Sequence, residues 1–169
     1  MQIHAGQYKG RRVKTVKNSP YRPTTSLVRK SLFDILGDIS GKDVLDLFAG
    51  SGIIGFEAGS RGAESITFVE SSMRVNALLK MNGALFTDTK FNYVRQDALR
   101  FLGTCGKYDI IFADPPYSYE KNEFVSLGIS HLKENGVLIL ESSLQEFSIS
   151  PHRVKEYGDT QLTFWRNKS

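Results

Sequence analysis

The sequence predicts an α/β fold: a mostly parallel seven-stranded sheet, helices on both faces, and an antiparallel hairpin at the C-terminal edge. Three observations carry this. Strand-length apolar runs alternate with helical periodicity from residue 43 to residue 141, the order that builds a parallel sheet. Three of those runs, DVLDLFA (43–49), SITFVE (65–70) and YDIIFA (108–113), are almost continuously apolar, as strands covered on both faces are. The tail VKEYGDTQLTFWR instead alternates on either side of Gly158 and Asp159, the pattern of a hairpin.

Taken in order, Ile3 and Val13 with Val16 are read as short strands around turns at Gly6 and Gly10, so that residues 1–24 form a basic extension with a short hairpin. Pro20 and Pro23 break regular structure, and Pro23 biases Arg22 toward an extended backbone. Thr24 or Thr25 caps the next helix. Its apolar face is Val28, Leu32, Ile35 and Leu36, and Gly37 ends it. After the strand at 43–49 come a glycine-rich turn and the helix IIGFEAGS. The strand at 65–70 is followed by the helix SSMRVNALLKMNGAL. Then come the strand FNYVRQ (91–96), a short helix from Ala98 to Leu102 and the strand at 108–113. A helix through Phe124, Leu127 and Ile129 precedes the strand GVLILE (136–141). Between Glu141 and Val154 only an abbreviated helix is expected. There is no repeat, no low-complexity tract and no linker after residue 40, so the 169 residues are read as one domain with a sizeable core.

The formal charge is +4, but it is unevenly placed. Residues 1–30 hold eight Lys or Arg and no acid, whereas the rest of the chain holds 14 basic and 18 acidic residues. Positive charge gathered in one segment suits a polyanion on one face. A solvated arm without a partner is the plainer alternative. The lone Cys105 allows no internal disulfide, and with no cluster of histidines beside it no metal site is expected. The start MQIHAGQYKGRRVK lacks the apolar stretch of a secretory signal. No apolar run approaches the roughly 18 residues of a spanning helix. A cytoplasmic protein without membrane contact is the expectation.

LDLFAGSGIIG sets Gly50, Gly52 and Gly55 in G-x-G-x-x-G spacing, after a strand and at the mouth of a helix. Such a turn needs positive φ and lets a ligand approach the backbone. Glu70 stands 20 positions beyond Gly50, at the end of the next strand, where a carboxylate can accept hydrogen bonds from both hydroxyls of a ribose. An adenosine-containing cofactor at the carboxyl edge follows. Asp46 discriminates among such cofactors. A carboxylate near this turn repels a pyrophosphate by about 1–4 kcal/mol at 4 Å. S-adenosylmethionine has no phosphate, and its ammonium and sulfonium groups favour acids. An Asp46 that faces away and caps something is the alternative, and NAD is the less favoured cofactor.

Asp46-Leu47-Phe48-Ala49-Gly50-Ser51-Gly52 resembles the first motif of class I methyltransferases, which have a Rossmann-like fold. Asp46, Phe48, Gly50, Gly52 and Glu70 are then cofactor residues. The resemblance also places an acid after the third strand against the adenine amino group, here Asp97 beside Ala98. As a plain helix N-cap Asp97 would look the same.

Asp114-Pro115-Pro116-Tyr117 ends the fourth strand. It resembles the D/N-P-P-Y/F/W signature of methyltransferases that modify an amino nitrogen. The chemistry explains the residue types. An exocyclic amino group is a poor nucleophile because its lone pair is delocalised. The Asp114 carboxylate and the Pro115 carbonyl can accept its two hydrogens and draw the nitrogen toward tetrahedral geometry. Pro116 donates no N–H and stiffens the loop. Tyr117 offers a face for a flipped base. Catalysis is then mainly positioning, and no metal takes part. Tyr119 is either a second stacking ring or the first apolar residue of the next helix.

The segments GQYKGRRVK, YRPTTSLVRKSLFDIL, DVLDLFAGSGIIGFEAGSRGA, DPPY and YGDTQLTF together resemble the RsmD family over almost the whole chain. That resemblance implies a bacterial S-adenosylmethionine-dependent methyltransferase that releases S-adenosylhomocysteine. It acts on N2 of a guanine in 16S ribosomal RNA, at position 966, within an assembling 30S subunit carrying ribosomal proteins. A monomer is expected. Arg11, Arg12, Lys14, Arg22, Thr24 and Thr25 would then face RNA. Arg22 capping the helix start or pairing with Asp34 is the alternative for that residue. An amino methyltransferase acting on another RNA, DNA adenine or protein glutamine is the second reading, and a silent RNA-binding module the third.

Overall fold

The computed structural model describes residues 1–17 and 22–168. In chain order the elements are α1 (Ser26–Leu36), β1 (Asp43–Leu47), α2 (Ile53–Ser60), β2 (Ser65–Val69), α3 (Met73–Gly83) and β3 (Lys90–Val94). They continue with α4 (Ala98–Leu102), β4 (Tyr108–Ala113), α5 (Lys121–Ser130), β5 (Leu132–Ser143), β6 (Arg153–Tyr157) and β7 (Thr160–Arg166). The strands make one seven-stranded sheet in the order β3-β2-β1-β4-β5-β7-β6. Neighbours from β3 to β5 are parallel, and β7 runs antiparallel between β5 and β6. The order reverses between β1 and β4, which opens the crevice where such sheets bind ligands.

The near-continuous apolar strands are buried on both faces, as their composition requires. Along each strand successive residues point to opposite sides. Val44, Ile110 and Ile139 enter the core beneath α1, α2 and α3. Leu45, Ile111 and Leu138 enter the core beneath α4 and α5. At the edge, β3 is only half-covered, and its burial alternates accordingly.

Four expectations need correction. The N-terminal extension packs into the core rather than standing off it. Its short hairpin forms, with Gln2 bridging Arg12 and the Ile3 and Val13 amides donating to the Arg11 and Met1 carbonyls at 2.9 and 2.7 Å, and Ile3, Tyr8 and Val13 are buried in the main core. Glu57 on α2 holds it: one carboxylate oxygen accepts from the His4 amide at 2.8 Å, and the other accepts from the Ala5 amide at 3.1 Å. Second, α1 buries a wider face than expected. Val28 and Leu32 are buried and Ile35 and Leu36 pack half-buried on the same core, but Arg29 and Phe33 are buried as well. Arg29 lies inside because Glu57 is 3.9 Å away and Nη2 donates to the Gln2 carbonyl at 2.8 Å. Third, residues 144–152 contain no helix. The Gln161 side-chain amide ties this loop to β7, accepting from the Gln145 backbone amide and donating to the Gln145 carbonyl, and Trp165 donates to the Ile149 carbonyl at 2.9 Å. Fourth, β5 starts at Leu132, because its first residue pairs with Tyr108 across a register shift in β4. Pro20 lies outside the described residues. No helix among the described residues is long and apolar enough to cross a membrane.

Candidate active site at the carboxyl edge

The three glycines of the turn do different work. Gly50 has φ +54, and a Cβ there would meet nothing closer than the Phe48 carbonyl at 3.9 Å. Its missing side chain leaves room for a ligand. Gly52 has φ +78, and a Cβ would sit 2.5 Å from Leu79 and 2.7 Å from Phe56. It is glycine for backbone and packing together. Gly55 packs α2 onto β2, where a Cβ would fall 2.3 Å from Phe68. Phe48 itself has φ +56, an uncommon conformation for an aromatic residue and one that gathers at functional sites.

Glu70 is buried, and its two oxygens accept from the Gly50 amide at 3.1 Å and the Ser72 amide at 3.0 Å. It therefore couples the turn to the start of α3, with lone pairs left for a ligand's hydroxyls. Asp46 does not face solvent. It is 2% exposed and accepts from the Gly55 amide, inside the first turn of α2, at 3.1 Å. Burial drives its carboxyl well above the usual range. The Gly55 hydrogen bond opposes this, and Glu70 and Asp114 add to it. Three carboxyls crowded at one edge favour a cationic ligand once they ionise.

Asp97 caps α4, accepting from the Arg100 amide at 3.1 Å, and Ala98 is buried behind it. The cap leaves the second Asp97 oxygen for another partner. That oxygen accepts from the Tyr119 hydroxyl at 3.1 Å. The Tyr119 ring meets Phe48 edge-on at 4.9 Å. Tyr119, left open by the sequence, joins Phe48 to Asp97. Among the described residues no cluster of His, Cys, Asp and Glu is arranged to hold a metal ion.

The Asp114–Tyr117 loop leaves β4 beside this crevice. Asp114 is half-buried, Pro115 is buried, and Tyr117 stands 83% exposed. The loop turns back where the Tyr119 amide donates to the Pro116 carbonyl at 3.0 Å. Burial pushes the Asp114 carboxyl up to about 8, and a second acid, Glu141 at the end of β5, adds to the rise. Sequence reasoning missed Glu141. Its one signal is that β5, like β1, β2 and β4, carries an acid at its carboxyl end.

Two residues expected to face RNA are committed within the fold. Thr24 is buried, and its hydroxyl donates to Glu141 at 2.7 Å. Thr25 accepts from the Val28 amide at 3.3 Å and caps α1. Arg22 is exposed and pairs with Asp159 at 3.5 Å, not with Asp34, which pairs with Lys30. Arg11, Arg12 and Lys14 are exposed. Arg11 lies over the Tyr8 ring and donates to the Leu85 carbonyl. Asn82 ties Lys14 to the glycine turn, donating to the Lys14 and Ser51 carbonyls.

A family model described as Conserved hypothetical protein 95 matches residues 1–166. The chain belongs to this family. It is the RsmD family: Ribosomal RNA small subunit methyltransferase D of Escherichia coli (strain K12) is 35% identical over 144 residues, 84% of this chain and 71% of the relative. YlbH of Bacillus subtilis (strain 168) is 37% identical over 150 residues, 83% of this chain and 82% of its own length. Among solved structures, yhhF from Escherichia coli matches this RsmD-family chain with a TM-score of 0.85 at 30% identity, covering 99% of this chain and 98% of that one. The architecture is that of the class I methyltransferases.

Proposed function

We infer that this RsmD-family protein transfers a methyl group from S-adenosylmethionine to the exocyclic N2 of a guanine in 16S ribosomal RNA. We take position 966 as the target, within a small subunit that already carries ribosomal proteins. The observation that carries the reading is the Asp114–Tyr117 loop, set beside a glycine turn whose Gly50 leaves open space. The name of the Escherichia coli relative supports the RNA substrate.

Asp46, Phe48, Gly50, Gly52, Glu70, Asp97 and Ala98 would hold the cofactor, which when bound supplies a methyl group on a positively charged sulfur. The Asp114 carboxylate and the Pro115 carbonyl accept the two amino hydrogens and turn the nitrogen lone pair toward the cofactor side. Pro116 keeps the loop rigid. Tyr117, with 83% of its surface free, gives the flipped base a ring to stack on. Asp114 then takes the proton that the methylated amine sheds. A carboxyl held at about 8 suits a base working near neutral pH. Arg11, Arg12, Lys14 and Arg22 meet RNA phosphates, so each lost contact lowers the salt slope of binding by about one.

Tritiated methyl transfer onto 16S rRNA, naked and in 30S particles, tests the reading. Wild type labels one guanine and Asp114→Ala does not. Equal labelling by both proteins would refute the mechanism. A thermal shift with NAD and none with S-adenosylmethionine would overturn the cofactor.

A further inference from the structure

Glu141 has no part in the chemistry above, yet it flanks the reacting group. On the paired strands β4 and β5, Ala113 is the register partner of Leu140. Asp114 and Glu141 therefore leave neighbouring strands at the same level and on the same face. Glu141 is 9% exposed, and one of its oxygens accepts from the Thr24 hydroxyl at 2.7 Å. Among the described residues no Lys or Arg nitrogen forms an ion pair with it. It also lines a cavity of about 200 Å³ with Arg22, Thr25, Leu27 and Tyr157. By the strand order, that cavity lies on the β5–β7 side of Asp114, opposite the glycine turn that follows β1.

We propose that Glu141 is the specificity-determining residue of the site, accepting the N1–H of the target guanine while Asp114 and the Pro115 carbonyl accept the two N2 hydrogens. This rests on the guanine-N2 reading and sharpens it. Guanine presents three hydrogens side by side, one on N1 and two on N2. The site presents three acceptors on two adjacent strands. Adenine and cytosine carry their amino group beside a ring nitrogen that is itself an acceptor. Against Glu141 that nitrogen would leave two buried acceptors facing each other with no hydrogen between them, which is costly. A site built to receive a hydrogen bond rejects the analogue lacking it far more strongly than a hydrophobic site rejects a missing methylene. Thr24 is a positioning residue that fixes the Glu141 carboxylate.

The test replaces the target guanine, once mapped, with 2-aminopurine by splint ligation of 16S rRNA assembled into small-subunit particles. 2-Aminopurine keeps the amino group and puts an acceptor at N1. Wild type should transfer methyl to guanine at least about 100-fold faster than to 2-aminopurine. Glu141→Gln, whose amide can donate to that N1, should narrow the ratio to below about tenfold. The O6 that 2-aminopurine also lacks is common to both enzymes and cancels in the double comparison. Thr24→Val should narrow the ratio partway. A Glu141→Gln enzyme that is folded by thermal melting and slows equally on both substrates would overturn the proposal and leave Glu141 a structural anchor for Thr24. A wild type that labels no guanine would overturn the guanine reading itself, and this proposal with it.

Discussion

At the amino edge of the sheet, Asp43 on β1 and Asp109 on β4 meet Lys133, at 2.6 and 3.0 Å. Ser65 adds a hydrogen bond to Asp43 at 2.6 Å. Lys133 and Ser65 hold the Asp43 carboxyl below its usual range. At the carboxyl edge of the same two strands, Asp46 and Asp114 have no cation partner among the described residues, and burial drives both carboxyls up. One edge is neutralised from within the chain. At the other, burial favours the uncharged carboxyl. The same residue type at two ends of one strand is therefore held in opposite states, paired at one end and buried without a cation at the other.

The largest expected effect breaks the carboxyl edge. Asp114→Asn should lower kcat/KM for methyl transfer by about 1,000-fold or more, the loss of a positioned acceptor and base. It should also raise stability. Asp114 binds its proton more tightly folded than unfolded, so wild-type stability falls as pH rises from about 4 to about 8. The asparagine variant escapes this, with a gain on the order of 1–4 kcal/mol at pH 8 that vanishes near pH 4. Denaturant melts at the two pH values measure the gain. A variant less stable at pH 8 would contradict the contrast between the edges.

Gly50→Ala comes next. Its side chain would occupy ligand space, so S-adenosylmethionine affinity should drop about 10- to 100-fold, by calorimetry, with a further strain cost from its positive φ. Wild-type affinity should itself rise with pH between 6 and 8, by up to about tenfold, because a cation binds better once the raised carboxyls ionise. A flat profile would mean that the edge is already charged. Smallest is Lys133→Met at the amino edge. It should cost about 1 kcal/mol of stability, since the pair is partly exposed, and leave cofactor affinity unchanged. Altered affinity would show that the two edges are coupled.

Much of this was legible along the chain because it is local. The continuous apolar strands, the spacing of Gly50, Gly52 and Gly55, and the Asp114–Tyr117 loop each sit within one strand and its turn. What escaped is non-local. Glu141 gains meaning only once β5 is known to lie beside β4. The burial of Arg29 depends on Glu57, 28 residues further on. Thr24 looked like a surface residue because its partner, Glu141, is 117 residues away. The abbreviated helix expected before Val154 gave way to a loop because Gln161 and Trp165 on β7 supply its backbone with hydrogen bonds.

The docking of the first residues onto α2 has a consequence for synthesis. His4, Ala5 and Tyr8 bond to Glu57 and Ser60, partners 52 or more residues later in the chain. On a translating ribosome, Ile3, Tyr8 and Val13 emerge well before the helix that will cover them. Lys9, Arg11, Arg12 and Lys14 are interleaved with these apolar residues. Such charges keep a waiting apolar stretch from self-association. Charges at these positions suit a segment whose partners, Glu57 and Ser60, are synthesised after it.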